Sequence, residues 1–316
     1  METLNVTQIE PRLKHPTIFE KFDSLKPGES FVIHNDHDPI PLYYQMLAER
    51  GKIFEWEYLA KGPEIYEVKI SKLSTGEEPK TLGELAASDY RKAEVFRKFG
   101  LDFCCGGKKT LKEVCAQKGL DAELVESAIL EIDKTPKGHS DNFNDWDIDF
   151  LADYIVNKHH KYVTNSIPML TELCAKVVKV HGEAHPELRE ISDNYFSVAE
   201  ELLGHMPKEE QILFPYIKNL VRSKKAHLKF ENPPFETIEN PVKIMENEHY
   251  LVGVRLESIK QISNNYTPPP NACTSYTVLY AKLEEFANDL QEHIHLENNI
   301  LFPKAVKLEK ELRLNQ

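Results

Sequence analysis

From about residue 146 onward, apolar residues return three and four positions apart, the period that lays a stripe along one face of a helix. Four such stripes are legible. The first runs through Ala152, Val156, His160, Val163 and Ile167, with a rival one residue away through Leu151, Ile155, His159 and Tyr162. The second is Ile191, Tyr195, Val198, Leu202, His205 and Glu209, the third Val242, Met245, His249, Val252, Leu256 and Ile259, and the fourth Leu279, Leu283, Phe286, Leu290, His293 and Glu297. Two hairpins of long helices, forming a four-helix bundle over residues 146–316, are the economical reading. Asn240 and Pro241 suit the cap and first position of the third helix. Breaks fall at Arg222 to Glu239 and at the proline-rich Asn264 to Asn271.

The pattern before residue 146 is different. Residues 1–72 alternate short strand-like and helix-like runs in the order βαβαββ. Leu4 to Ile9 reads as a strand, His15 to Leu25 as a helix opened by Pro16, and Ser30 to His34 as a strand. A helix to Arg50 follows Asn35-Asp36-His37-Asp38-Pro39. Strands Ile53 to Leu59 and Ile65 to Ile70 are joined by a turn at Lys61-Gly62-Pro63-Glu64. After a linker at Leu73 to Lys80, Thr81 and Glu84 have capping-box spacing and open three or four short helices over residues 81–133. A second linker spans Lys134 to Asp145. The fold class is therefore multidomain α+β: a two-layer sandwich, a small helical module and a bundle.

With 316 residues and a net charge of −12, the chain has ample material for several cores and is a poor match for nucleic acid or an anionic membrane surface. Its first residues lack the apolar run of a signal peptide and no later run would span a bilayer, so a cytoplasmic location is expected. Five cysteines, two of them adjacent, form no disulfide framework and fit a reducing compartment. Cys115, Cys174 and Cys273 read as small buried residues.

The chemistry sits on the stripes. His205 to Glu209 and His293 to Glu297 are both His-x3-Glu, and each is followed by Ile-Leu-Phe-Pro at the same distance. Residues four apart share a helix face, so imidazole and carboxylate can reach one ion. An unpaired ionised carboxylate is very costly in a core, and a cation removes that objection. His249 lies on the third stripe; His160 or His159 supplies the first, and the matched spacing to His205 favours His160. Four histidines and two glutamates make a two-metal carboxylate site. Pro207, between His205 and Glu209, is expected to kink that helix.

Around this set, Glu201 and Asp289 lie four residues before His205 and His293, and Glu248 adjoins His249, where carboxylates can orient imidazoles or face water. Cys104 and Cys105, followed by Gly106 and Gly107, fit either an exposed reactive loop or a tight packed corner. His34, Asp36, His37 and Asp38 could hold a ligand, although Asp38-Pro39 is also an ordinary helix start. His181, His185 and His227 fall in connections, and His295 lies two residues off the ligand stripe.

Residues 81–316 resemble the family of iron-sulfur cluster repair di-iron proteins known as RIC, YtfE or ScdA. The matching stretches are Asp102 to Lys108, His205 to Pro215, Glu246 to His249, Asn264 to Pro270 and His293 to Pro303. The resemblance implies a ScdA-N-type module and a hemerythrin-like bundle. It places metal ligands at His160, His205, Glu209, His249, His293 and Glu297. The cofactor it implies is two non-haem irons bridged by both glutamates and an oxo or hydroxo group, with one imidazole fewer than hemerythrin and hence a more labile centre. It also implies functional roles for Glu201 and Glu248, with Cys104 and Cys105 as thiol partners. Damaged or apo iron-sulfur proteins would be the clients, and nitric oxide or dioxygen small ligands; a homodimer is compatible with this. Nitric oxide or peroxide reduction, or gas sensing, are the alternatives. Residues 1–72 resemble the TusA-like fold, and more closely uncharacterised domains carrying the Asn-Asp-His-Asp-Pro stretch. Sulfur carriers of that fold have a cysteine where this chain has His15.

Overall fold

A computed structural model describes residues 2–51, 53–63, 65–73, 80–134, 142–228 and 232–314. The chain divides into two compact units, Met1–Lys80 and Thr81–Gln316. In the first, a four-stranded sheet has the order β1-β2-β4-β3, where β1 is Glu2–Asn5, β2 Ser30–Asn35, β3 Phe54–Lys61 and β4 Tyr66–Lys72. β1 and β2 run parallel, and the other two pairings are antiparallel. Helices α1 (Pro11–Ser24) and α2 (Ile40–Arg50) bury Ile18, Phe19, Phe22, Leu42 and Met46 against Phe31, Ile33, Val68 and Ile70 of the sheet. This is the βαβαββ order expected. Helix α1, however, starts at Pro11 and carries Pro16 inside it, because Pro11 already occupies the first turn, where a missing N–H costs nothing. Glu64 of the hairpin turn lies outside the described residues.

The second unit opens with four short helices: α3 (Leu82–Ser88), α4 (Lys92–Lys98), α5 (Leu111–Lys118) and α6 (Ala122–Lys134). Thr81 and Glu84 form the expected capping box, and Thr110 and Glu113 form another. Their own core is Leu82, Phe96, Phe103, Val114 and Val125 with neighbours. The bundle follows as α7 (Ile148–Ile155), α8 (Lys161–His181), α9 (Glu187–Lys208), α10 (Phe214–Ala226), α11 (Glu239–Ile262), α12 (Thr274–Leu296) and α13 (Phe302–Leu314). Three of its four rods are each a pair of helices joined by a single π turn, at Val156–His160, Glu209–Leu213 and Glu297–Leu301. The i to i−5 bonds that define these turns are Lys161 N to Val156 O, Phe214 N to Glu209 O and Phe302 N to Glu297 O.

The second and third of these turns have a local cause. Pro215 and Pro303 stand second in α10 and α13, where a proline ring collides with the carbonyl four residues earlier. Widening the preceding turn relieves that clash, so Ile-Leu-Phe-Pro after each glutamate writes a π turn into the chain. The first π turn also resolves the two rival stripes. A π turn inserts one residue, so the rod enters on Leu151 and Ile155 and leaves on His160, Val163 and Ile167. Both His159 and His160 are consequently buried.

The third rod begins earlier than Asn240 suggested, at Glu239. Its cap comes from elsewhere in the chain: the Glu309 carboxylate accepts from the Ile238 N–H and the Thr237 hydroxyl, and also from Tyr216 and Arg313. Helix α10 likewise runs on to Ala226, past the expected break at Arg222. Two apolar clusters fill the bundle, one around Val198, Leu202, Leu283 and Phe286, the other around Leu151, Phe214, Met245 and Phe302. No described helix is long and apolar enough to cross a membrane.

Candidate metal centre

The boundary between the two apolar clusters is polar. His160, His205, Glu209, His249, His293 and Glu297 are each at most 2 % exposed there. They fall into two groups that share both carboxylates. His160 and His293 face Glu209 and Glu297 from one side; His205 and His249 face the same pair from the other. The Nε2 atoms point inward. His205 Nε2 is 3.2 Å from Glu209 Oε2, His160 Nε2 3.4 Å from the same oxygen, His249 Nε2 3.2 Å from Glu297 Oε2, and His293 Nε2 3.0 Å from Glu297 Oε1. Each histidine pair also brings two Nε2 atoms together, 3.1 Å for His160 and His293 and 3.0 Å for His205 and His249.

Such a set fits two transition-metal cations. Among the described residues neither oxygen of Glu209 has a hydrogen-bond partner, nor does Oε2 of Glu297, although all are buried. Leaving carboxylate oxygens so would cost several kcal/mol each without a compensating charge. Separations of 3.0–3.4 Å match the edges of a coordination shell with donors about 2.1 Å from its centre. Imidazole and carboxylate suit iron, zinc or manganese alike. Despite Pro207 inside α9, His205 and Glu209 keep the contact that i to i+4 spacing promises, as His293 and Glu297 do.

The charges agree with this. Burial opposes ionisation of Glu297, but His293, His160 and His249 outweigh it and hold the carboxyl well below its usual range. Burial also disfavours a charged His160, yet Glu209 and Glu297 raise its imidazole to about 10; the same contest lifts His205 to about 9. Cations entering the site therefore compete with protons.

Three imidazoles are held from behind. His160 Nδ1–H donates to Glu210 at 2.8 Å, His205 Nδ1–H to Glu248 at 2.7 Å, and His249 Nδ1–H to Asn298 at 2.9 Å. The first and third repeat one rule, in which the residue after the shared glutamate holds the histidine from the preceding rod. The duplicated motif aligns Glu210 with Asn298, but both stand beside an apolar stripe rather than on it, and only the packed partner helix shows what they hold. The second rule breaks the symmetry. Glu248, just before His249, holds His205; the equivalent residue before His160 is His159, which stacks on His293 at 5.5 Å and leaves the His293 Nδ1 without a partner among the described residues. Asp289 accepts from His159 at 3.0 Å and so reaches His293 only through that ring. Glu248 serves His205 rather than its neighbour His249. Glu201 is half-buried and makes no hydrogen bond or ion pair among the described residues, so it orients none of the four imidazoles. His295 is buried too, with Nδ1 accepting from Asn299 at 3.0 Å, and burial lowers its imidazole to about 3.

Cys104 and Cys105 lie directly against this centre. Asp102 turns the loop, its carboxylate accepting the N–H groups of Cys104, Cys105 and Gly106 at 2.9–3.0 Å. The glycines are there for closeness: a Cβ on Gly107 would stand 2.5 Å from Phe103 O and 2.7 Å from Asn299 Oδ1, and one on Gly83 2.2 Å from Asn299 Oδ1. Asn299 donates to Phe103 O at 3.0 Å and so keys the loop into the π turn that carries Glu297. The Cys105 thiol donates to the His249 carbonyl at 3.3 Å. Cys104 is packed in a tight corner, as one of the two expectations had it, while Cys105 is half-exposed. The S–H contact with Cys105, burial and the Asp102 charge push the Cys104 thiol well above its ordinary range. Cys115 and Cys174 are buried as expected; Cys273 is exposed, beside His181 at 3.1 Å.

In the N-terminal unit the candidate ligands disperse. His34 pairs with Glu67 across two strands, His37 with Asp36, and Asp38 accepts from Tyr58 and from the Ile40 N–H that opens α2.

Comparison with known proteins adds four findings. Residues 3–72 match the model of an uncharacterised conserved protein family, DUF2249, and residues 78–133 that of a domain of unknown function, DUF542. Residues 151–305 match the hemerythrin HHE cation binding domain. Proteins named iron-sulfur cluster repair protein YtfE are similar over most of their length. That of Edwardsiella ictaluri is 39% identical over 225 residues, covering 71% of this chain and 96% of its own; that of Escherichia coli is 39% identical over 228 residues with the same coverage. A Yersinia pestis relative is 37% identical over 227 residues, covering 72% and 96%.

Proposed function

The chain belongs to the YtfE family of iron-sulfur cluster repair proteins, and from that premise we propose that it repairs damaged clusters by supplying iron from a labile di-iron centre. His160 and His293 would hold one iron, His205 and His249 the other, with Glu209 and Glu297 between them. The observation that carries the proposal is the sharing of both buried carboxylates by two histidine pairs. Iron bound there supplies an open coordination position and a dissociable cargo for clusters lost to oxidative or nitrosative stress.

The chain's own groups set how firmly the cargo is kept. Glu210, Glu248 and Asn298 fix three imidazoles with Nε2 inward and raise their basicity as ligands. Among the described residues His293 lacks such support, so the His160 and His293 pair would hold its iron less firmly than the other pair. Two carboxylates offset only part of the charge of two divalent ions, which favours release to a richer donor set. Apolar clusters pack on either side of the centre. Cytoplasmic location accords with five free cysteines, Cys104 and Cys105 being the thiol partners.

The test is transfer. The iron-loaded full chain is mixed anaerobically with an apo iron-sulfur protein and sulfide, and cluster formation is followed by absorption. Cluster recovery with matching iron loss from the chain is expected; no recovery overturns the proposal. Repeated turnover of nitric oxide with the iron retained would favour the reductase reading instead.

A further inference from the structure

Outside the six-residue centre, the side chains of Asp102, Cys104 and Cys105 form another group able to hold a cation, with one ligand atom from each within 4.8 Å of the others. The two sulfurs are 3.8 Å apart, near the edge of a tetrahedral shell with sulfur about 2.3 Å from its ion. Two cavities meet at this pair. One, of about 440 Å³, runs between the cysteine loop and α11, past Gly253 and Tyr266; the other, of about 290 Å³, is lined by Lys108, Glu246, Asn247 and Asn298. Clearance for the sulfur is built in, since a Cβ on Gly253 would stand 3.1 Å from Cys105 Sγ. On the inner side, Asn298 donates to the Cys104 carbonyl at 3.5 Å while its Oδ1 holds the His249 imidazole. The pair thus touches the backbone and the support of a histidine of the buried centre, and opens outward into two cavities.

We propose that Asp102, Cys104 and Cys105 form a transit site that takes a thiophilic divalent cation, iron(II) in function, between the buried centre and an acceptor protein. This rests on the reading of iron as cargo and extends it to the route. Binding is a ligand exchange: the ion replaces the two S–H protons, which leave to solvent, two metal–sulfur bonds form, and no electrons move. The Cys104 S–H now directed at Asp102 Oδ1, 3.2 Å away, occupies the side on which the carboxylate would face the ion. Three protein donors leave the shell incomplete, unlike the four of a closed structural site. Thiolates are also the ligands that iron meets in an iron-sulfur protein, so an acceptor's cysteines can complete the shell and then take the ion.

The experiment titrates cobalt(II) anaerobically into the reduced full chain. Histidine and carboxylate ligation gives no thiolate-to-cobalt charge-transfer band in the near ultraviolet, so such a band reports a cysteine site, and its loss in the C104S/C105S variant assigns it to this one rather than to the exposed Cys273 beside His181. Wild type should bind about three equivalents, one with the band; the C104S/C105S variant should bind about two and lack it. Absence of the band in wild type overturns the site. Failure of the buried centre would instead remove the equivalents without a band, so the two readings fail separately. In a second arm, with the buried centre loaded equally in both proteins, iron(II) transfer to an apo iron-sulfur acceptor should slow about tenfold in C104S/C105S; an unchanged rate overturns the transit role. Should the double variant be unstable, C105S alone should weaken the band and slow the transfer, because it removes one of the two sulfur donors at a half-exposed position on the edge of the core.

Discussion

At the scale of single residues, the centre is nearly symmetric and differs at one place. Glu248 supports His205 through a hydrogen bond, whereas His159 only stacks on His293. Loss of such support typically lowers metal affinity about 10–100-fold. E248A is therefore expected to weaken one of two bound ions by about that factor, and wild type should already release its ions in two phases to a chelator. Stopped-flow absorption with a coloured chelator checks both: E248A speeds the slow phase and leaves the fast one in place. A single phase in wild type would remove the asymmetry. The six inward side chains were legible because each lies on an apolar stripe, where polar residues demand a reason. Glu210 and Asn298 were not, since a residue beside the stripe looks like a solvated flank until the partner helix is placed against it.

At the scale of elements, the bundle helices are not uniform. Beyond the kink expected at Pro207, the rods carry π turns that start at Glu209 and Glu297 and end before Pro215 and Pro303. Period counting with a fixed step of three or four cannot see a turn that adds one residue, which is why two stripes competed before His160. The start of α11 was hidden for a related reason: its cap, Glu309, comes from a residue far along the chain. Glu309 also sets a pH dependence. Burial opposes its ionisation, but donors from Thr237, Tyr216, Arg313 and Ile238 outweigh that and hold its carboxyl below the ordinary 4.5. A depressed carboxyl contributes fully above its unfolded value, so this contribution is present above about pH 4.5 and fades as the pH falls through the lower folded value. E309Q should lose about 1–3 kcal/mol near neutrality, and denaturant melts of the two proteins should converge as the pH drops below 4. A gap that stays constant down to pH 3 would contradict the role given to the carboxylate.

For the molecule as a whole, the order of parts was readable from composition and period: a βαβαββ unit, a short helical module, then the bundle. What the sequence did not reveal is that the cysteine module and the bundle form one compact unit. That docking depends on Gly83, Gly107 and Asn299 fitting together at atomic distance, and such complementarity leaves no periodic trace. Metal should accordingly stabilise Thr81–Gln316 and leave Met1–Lys80 unmoved. A ligand at about 100 times its dissociation constant adds roughly 2.7 kcal/mol, so calorimetry with and without a chelator should shift one transition and spare the other. Equal shifts of both would contradict the division.

The most direct measurement is the iron content of the purified full chain beside that of E209Q and E297Q, each checked for folding by circular dichroism. Two irons per chain in wild type, and a loss from both sites when either shared carboxylate is neutralised, is the predicted result. Iron content unchanged in both folded variants would contradict the account.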